Sequence, residues 1–234
     1  MGVRTQIYSL TAALLLASTS VSAAQFDDPW EGMNRKIFVF NDTLDNYVVK
    51  PVAKGYLAVT PDPVETGVSN FFENLGEVGN ILNDVLQWKW GQAANDTGRL
   101  LVNSTVGIAG IFDVAKHVGL PRSEGEDFGQ TLASWGVGQG PYLVLPFLGP
   151  SNLRDLGGMP VDSYANPIGY IDHVPTRNST YATDLLDTRA SLIAAEDLIS
   201  GDKYSFMRDA FLQRREYLIE DGEVEDDFGN DDDF

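Results

Sequence analysis

The chain has 234 residues, 43% of them hydrophobic, enough for one large domain or two small ones with a sizeable core. Its formal net charge of −18 disfavours binding to a nucleic-acid backbone and any broad attraction to anionic lipid headgroups. There is no cysteine, which excludes disulfides, thiol catalysis and thiolate metal sites.

Residues 1–23 read as a secretory signal: Arg4 is the positive start, Leu10 to Ala17 form an apolar run, and Val21-Ser22-Ala23 place cleavage between Ala23 and Ala24. That run is too short to span a membrane, and no later stretch reaches the roughly 18 apolar residues a spanning helix needs. Export without disulfides suits a bacterial periplasm or envelope.

A helix is expected next, with Asp28 as N-cap and Pro29 in its first turn. Trp30, Met33, Ile37, Phe40, Leu44 and Tyr47 recur at steps of three and four, one apolar stripe. The stripe suits a core-facing helix; the rival expectation is an interfacial helix with its aromatic face against lipid. Pro51 opens a second helix, and Pro61-Asp62-Pro63 ends it and starts another. Periodicity then predicts a helix over 64–75 and a similar one over 77–88. Trp88 and Trp90 flank Lys89, a pairing that suits an interface belt or the edge of a core. A helix is expected at 91–105, a turn and a short amphipathic piece from Gly107 to His117, and a polar loop from Pro121 to Asp127.

Residues 128–158 are rich in glycine and carry Pro141, Pro146 and Pro150 around the apolar residues Tyr142 to Leu145, Phe147 and Leu148. The prolines argue against an ordinary helix or a central strand, so irregular backbone is expected, buried in protein or lying against something apolar. A short helix interrupted by Pro167 is expected over 162–171. The longest helix is expected over 179–200, capped by Ser179 or Thr180 and broken by Gly201. The last helix, 203–220, sets Tyr204, Met207, Phe211 and Leu218 on one face and Arg208, Arg214 and Arg215 on the other. The acidic tail that follows is expected to be disordered.

Chemistry is sparse. His117 and His173 sit in no zinc-ligand spacing, and there is no nucleophile elbow, P-loop or dinucleotide fingerprint. Glu126 and Asp127 are adjacent carboxylates of the kind usually just solvated. Arg154-Asp155 is the best polar pair, suited to a local ion pair or turn, or to a lipid phosphate. No catalytic constellation, cofactor or metal is expected, which argues against an enzyme.

Three stretches carry a family resemblance: DPWEGMNRKIFVFNDTLDNYVVKPVA at 28–53, FGQTLASWGVGQGPYLVLPFLGPSNLRDLGG at 128–158 and GDKYSFMRDAFLQRREYLIEDG at 201–222, with SNFFENL at 69–75 between the first two. Together they resemble the MlaA, or VacJ, proteins of the Gram-negative outer-membrane lipid-asymmetry system, over nearly the whole mature chain. The resemblance implies an all-α fold, a ring-like arrangement of short amphipathic helices around a central channel, with the Gly/Pro-rich segment irregular. It implies a periplasm-facing outer-membrane channel that removes misplaced phospholipids from the outer leaflet toward a periplasmic MlaC-like carrier, beside a trimeric porin, without chemistry on the lipid. The rival function is a soluble periplasmic lipid-binding module. The expected organisation is a signal at 1–23, a helical domain at 24–219 and an acidic tail at 220–234. Candidate channel residues are Gly136, Gly138, Gly140, Pro141, Tyr142, Leu143, Leu145, Pro146, Phe147, Arg154 and Asp155. Candidate membrane-facing residues are Trp30, Met33, Ile37, Phe40, Leu44 and Tyr47. Family members are commonly lipoproteins, whereas this sequence offers no cysteine to carry a lipid and is expected not to be one.

Overall fold

A computed structural model describes residues 28–222; the signal segment, its Ala23/Ala24 cleavage site and the acidic tail beyond residue 222 lie outside the described residues. Helix α1 runs from Glu31 to Leu44 and passes through a single π turn, Asp45–Val49, into α2, Lys50–Val59. Pro51 sits in the first turn of α2, where its missing N–H leaves no vacancy. Asp28 does not cap α1: the helix begins at Glu31, and the Asp28 carboxylate instead accepts from Asn34 Nδ2 at 2.9 Å and from the Tyr204 hydroxyl.

Pro61 and Pro63 bracket the start of α3, Asp62–Leu86. The two helices expected over 64–75 and 77–88 are one, because neither Gly76 nor Gly79 breaks a helix whose flanking turns are well formed. At 25 residues it is the longest described helix, where 179–200 had been expected to be. Helix α4, Trp90–Thr105, packs antiparallel to it after a tight turn, and a 3-10 turn follows at Ala115–Val118.

The Gly/Pro-rich stretch is more regular than its composition suggests. It holds α5, Phe128–Ser134, a hairpin of β1, Tyr142–Leu145, and β2, Gly149–Asn152, and the start of α6, Leu153–Ala165. In the antiparallel register Pro150 faces Val144, whose own amide is turned away toward Asn34, so the missing proline N–H leaves no gap in the ladder. A 3-10 turn at Pro167–Tyr170 leads to α7, Val174–Ser191, capped by His173 rather than Ser179 or Thr180. A second 3-10 turn, Ile193–Leu198, precedes α8, Lys203–Ile219, capped by Asp202.

Contacts between elements close a circuit. Helix α1 packs on β1, β2 on α8, α8 on α5, α5 on α3, α3 on α7, α7 on α2, and α2 returns to α1 through the π turn. The chain is therefore mostly helical, with one two-stranded sheet, in a ring-like order.

The buried side chains are mostly polar. Among the described residues the buried apolar side chains form one small cluster, Tyr142, Val144, Tyr204 and Leu212, plus scattered alanines, Leu143 and Ile168. The buried polar and charged residues are more numerous and include Asn34, Glu77, Asn83, Asp84, Asp96, Arg99, Asn103 and Asn152. Large apolar residues lie outside: Trp88 is 74% exposed, Tyr47 81%, Phe147 70% and Leu148 71%. The stripe on α1 does not face the core. Trp30, Met33, Phe40 and Tyr47 are exposed, Ile37 and Leu44 are half-buried, and the buried side chain of α1 is Asn34.

Candidate functional site

Three constructions position the parts of this molecule. The first fixes the hairpin. Asn34 and Asn41, seven residues apart on α1, each bracket the free edge of β1. Asn34 donates to the Tyr142 carbonyl at 3.1 Å and accepts from the Val144 amide at 3.0 Å. Asn41 donates to the Leu145 carbonyl at 2.9 Å and accepts from the Phe147 amide at 2.8 Å. Two side-chain amides thus stand in for a third strand and satisfy an edge that would otherwise invite pairing. They leave the loop Pro146-Phe147-Leu148 projecting, with Phe147 in the left-handed region at φ 67° and its ring edge-on to Phe40 at 5.3 Å.

The second construction is the charged packing of α3 on α4. Arg99 is buried and bonds Glu77 at 2.8 Å, Asp113 at 3.3 Å and the Leu120 carbonyl at 3.0 Å. Asn103 donates to Asp113 at 3.1 Å and accepts from the Ala115 amide at 2.9 Å. Burial acts to lower the Arg99 pKa, and the carboxylates around it outweigh that and raise it. Nearby Asp84 is fully buried with neither carboxylate oxygen hydrogen-bonded among the described residues; burial, then Asp96 and Glu126, push its pKa up to about 7.

The third holds α5, α6 and α8 together. Arg215, expected on the outer face of the last helix, is buried and bonds the Asp127 carboxylate through both terminal nitrogens, one at 2.6 Å. Its Nε lies 2.7 Å from Asp155. Asp127 caps α5 through the Gln130 amide, and Asn152 caps α6 through the Asp155 amide. Gly129 makes room for this pairing: a Cβ there would lie 2.5 Å from both Arg215 and Asp155. Asp187 and Arg189 on α7 stitch the other side of the circuit. Asp187 accepts from Tyr56 on α2 and Ser69 on α3 at 3.0 and 2.7 Å, and Arg189 grips Asp45 in the π turn at 2.7 and 2.8 Å.

Between α3, the start of α5, α6, the Pro167–Tyr170 turn and α7 lies a cleft of about 310 Å³. Its lining combines the apolar Phe72, Leu75 and Ile168 with the polar Asn80, Glu126, Asp127, Asp162 and Asp184.

The structure separates the sequence-derived candidates. Gly136, Gly138, Gly140, Pro146 and Phe147 are exposed, and Pro141, Leu145 and Asp155 half-buried. Tyr142 and Leu143 are buried, Tyr142 inside the apolar cluster, so neither faces an open passage. Arg154 is buried against Asp155 at 3.0 Å, an internal ion pair rather than a surface for phosphate. Glu126 is buried and accepts from Lys89 and Gln87, while Asp127, its side chain 38% exposed, is held by Arg215. His117 is exposed in its turn, and no group of three metal-ligating side chains occurs among the described residues. The asparagine clasp and the charged α3–α4 seam went unread in the sequence, although Glu77 and Asp84 on α3, and Asp96, Arg99 and Asn103 on α4, repeat at the three-, four- and seven-residue spacing of a helix face.

A family model described as MlaA lipoprotein matches residues 26–218. The "Intermembrane phospholipid transport system lipoprotein MlaA" of Escherichia coli (strain K12) is 35% identical over 231 residues, covering 96% of this chain and 92% of that protein. The protein of the same name from Haemophilus influenzae is 28% identical over 236 residues, covering 96% and 94%. An uncharacterized protein of Rickettsia conorii is 38% identical over 197 residues, covering 82% and 78%. A solved structure from work on the "Structural basis for maintenance of bacterial outer membrane lipid asymmetry" matches with a TM-score of 0.73 at 34% identity, covering 82% of this chain and 99% of that one.

Proposed function

Since the chain belongs to the MlaA lipoprotein family, we propose that it is the outer-membrane component of an intermembrane phospholipid transport system, taking phospholipid out of the outer leaflet and so keeping that membrane asymmetric. The observation that carries this reading is the inverted polarity of the fold. Arg99, Asp96 and Asp84 are inside, while Tyr47, Trp88, Phe147 and Leu148 are outside. In water that distribution forfeits the main driving force for folding; in a bilayer it is the favoured one, because charged groups face inward and pair there. No described helix is long and apolar enough to cross a membrane, which fits a body set into the bilayer by its rim.

Within this reading the exposed backbone from Gly136 to Gly140 and the hairpin loop at Phe147 form part of the channel wall and its edge. A trimeric porin and a periplasmic carrier of the MlaC kind are the proposed protein partners. In this reading the apolar rim and the porin hold the body at the membrane. Deleting the protein should raise the phospholipid exposed in the outer leaflet, measured by surface-accessible lipid labelling in intact cells. An unchanged outer leaflet would overturn the proposal. Recovery of the protein from the soluble periplasm without detergent would favour a soluble lipid-binding module instead.

A further inference from the structure

The cleft between α3, α6 and α7 carries one carboxylate that the packing around it leaves without a partner among the described residues. Of the four carboxylates at its wall, Glu126 is neutralised by Lys89 at 2.9 Å and Asp127 by Arg215 at 2.6 Å. Asp162 accepts from the Phe128 amide at 2.8 Å, and the arginine nearest in effect, Arg215, is already held by Asp127 and Asp155. Asp184 has neither a hydrogen bond nor an ion pair among the described residues; burial, then the neighbouring Asp187, raises its carboxyl above the ordinary range. No lysine or arginine lines the cleft. A half-buried carboxylate without a counter-charge is relieved by a cation.

The lining of the cleft also carries apolar side chains, Leu75, Ile168 and the aromatic Phe72. Its volume of about 310 Å³ lies at the small end of the roughly 300–1,000 Å³ that ligand sites span, room for a headgroup and not for acyl chains. An ammonium suits both kinds of lining residue, by charge to Asp184 and by cation–π attraction to Phe72. A phosphate or a glycerol headgroup finds no base here.

We propose that the cleft receives the ammonium end of an amine-bearing phospholipid headgroup, with Asp184 as its anionic contact and Phe72 and Ile168 as its apolar wall. The proposal deepens the phospholipid-transport reading and rests on it. It makes Asp184 a specificity-determining residue: the cleft admits zwitterionic ethanolamine lipids and disfavours anionic glycerol lipids.

The full chain, purified in a non-ionic detergent, is incubated with equal amounts of phosphatidylethanolamine and phosphatidylglycerol of identical acyl chains, and the bound lipid is counted by mass spectrometry. The expected result is an enrichment of phosphatidylethanolamine of about five-fold or more, tenfold being 1.4 kcal/mol. Asp184→Asn should bring the ratio near one with the total bound lipid retained, and Asp184→Glu should restore the preference. Spermidine, an ammonium without a tail, should compete weakly. Equal binding of the two lipids by the wild type, or a preference that survives Asp184→Asn, overturns the headgroup assignment and leaves lipid transport standing. Competition by spermidine at concentrations equal to the lipid assigns the cleft to free polyamines and overturns it too. Failure to bind either lipid removes this inference and the transport reading together.

Discussion

Val144 gives its backbone amide to the side-chain oxygen of Asn34, 110 residues earlier in the chain, at 3.0 Å. The same carboxamide donates to the Tyr142 carbonyl, so one side chain closes the free edge of β1 where a backbone strand would ordinarily do so. The site is fully buried, and its loss leaves backbone groups without water to replace it.

Asn34→Leu should therefore cost about 2–4 kcal/mol, the sum of two orphaned buried backbone groups. Amide hydrogen exchange at Val144 should rise toward that of the exposed loop while exchange in α4 stays slow. Unchanged protection at Val144 would show that β2 alone holds the strand.

Arg99 is the hub of the α3–α4 seam, and Arg99→Met would leave Glu77 buried without its counter-charge and Asp113 with only Arg122, at 3.5 Å. The expected loss is about 3–5 kcal/mol by chemical denaturation in detergent. Adding Glu77→Gln and Asp113→Asn should recover most of it, because the penalty comes from uncompensated charge rather than from missing volume.

The buried Asp84 carboxyl gives a pH signature. Its folded pKa, pushed up to about 7 by burial and by Asp96 and Glu126, lies above the roughly 3.9 of an unfolded aspartate, so the folded chain binds the extra proton between those values. The stability it contributes as the neutral acid is present at low pH and is lost as pH rises through about 7. Asp84→Asn should match the wild type near pH 4 and melt at a higher temperature at pH 8. An Asp84→Asn advantage that does not grow with pH would show that Asp84 stays ionised in the fold.

The glycines divide into two classes. A Cβ on Gly158 would lie 2.9 Å from the Gly129 backbone nitrogen, where α5 and α6 cross, so Gly158→Val should lower the thermal midpoint by several degrees. A Cβ on Gly138 meets nothing within 4 Å, so Gly138→Trp should fold normally. If the segment lines the lipid path, Gly138→Trp cells should show surface phospholipid like that of the deletion; wild-type asymmetry with normal protein levels would remove Gly138 from the path.

Much of the fold is legible along the chain. Prolines at 51, 61 and 63 mark the helix starts and Asp202 opens α8, by local backbone rules that hold in any solvent, whereas α7 ends at Ser191 and not at Gly201, where its expected break lay. What is not legible is which side of each helix faces in. The spacing of Trp30, Met33, Phe40 and Tyr47 defines a stripe, but periodicity alone cannot say whether its solvent is protein or lipid, and the usual preference for apolar cores points the wrong way here. The buried side is written in polar residues, Asn34, Glu77, Asp84 and Arg99, which by composition read as a solvated surface. The hairpin was hidden for a different reason: the prolines that argue against a strand are harmless when the neighbouring strand takes its hydrogen bonds from the asparagines of a helix. Arg215 was misplaced because an arginine beside another arginine looks exposed until its two carboxylate partners, Asp127 and Asp155, are brought to it from distant segments.

The inverted interior also fixes how the molecule responds to heat. The large positive heat capacity of unfolding in ordinary proteins, about 12–15 cal/mol/K per residue, comes from apolar surface meeting water. In the proposed membrane setting that surface lies against lipid or detergent before unfolding and stays there afterwards, while the groups newly hydrated are carboxylates, amides and guanidinium, whose exposure lowers the heat capacity. Calorimetry in micelles should therefore give a stability curve that is nearly straight with temperature, without the dome and the cold limb that a buried hydrophobic core imposes.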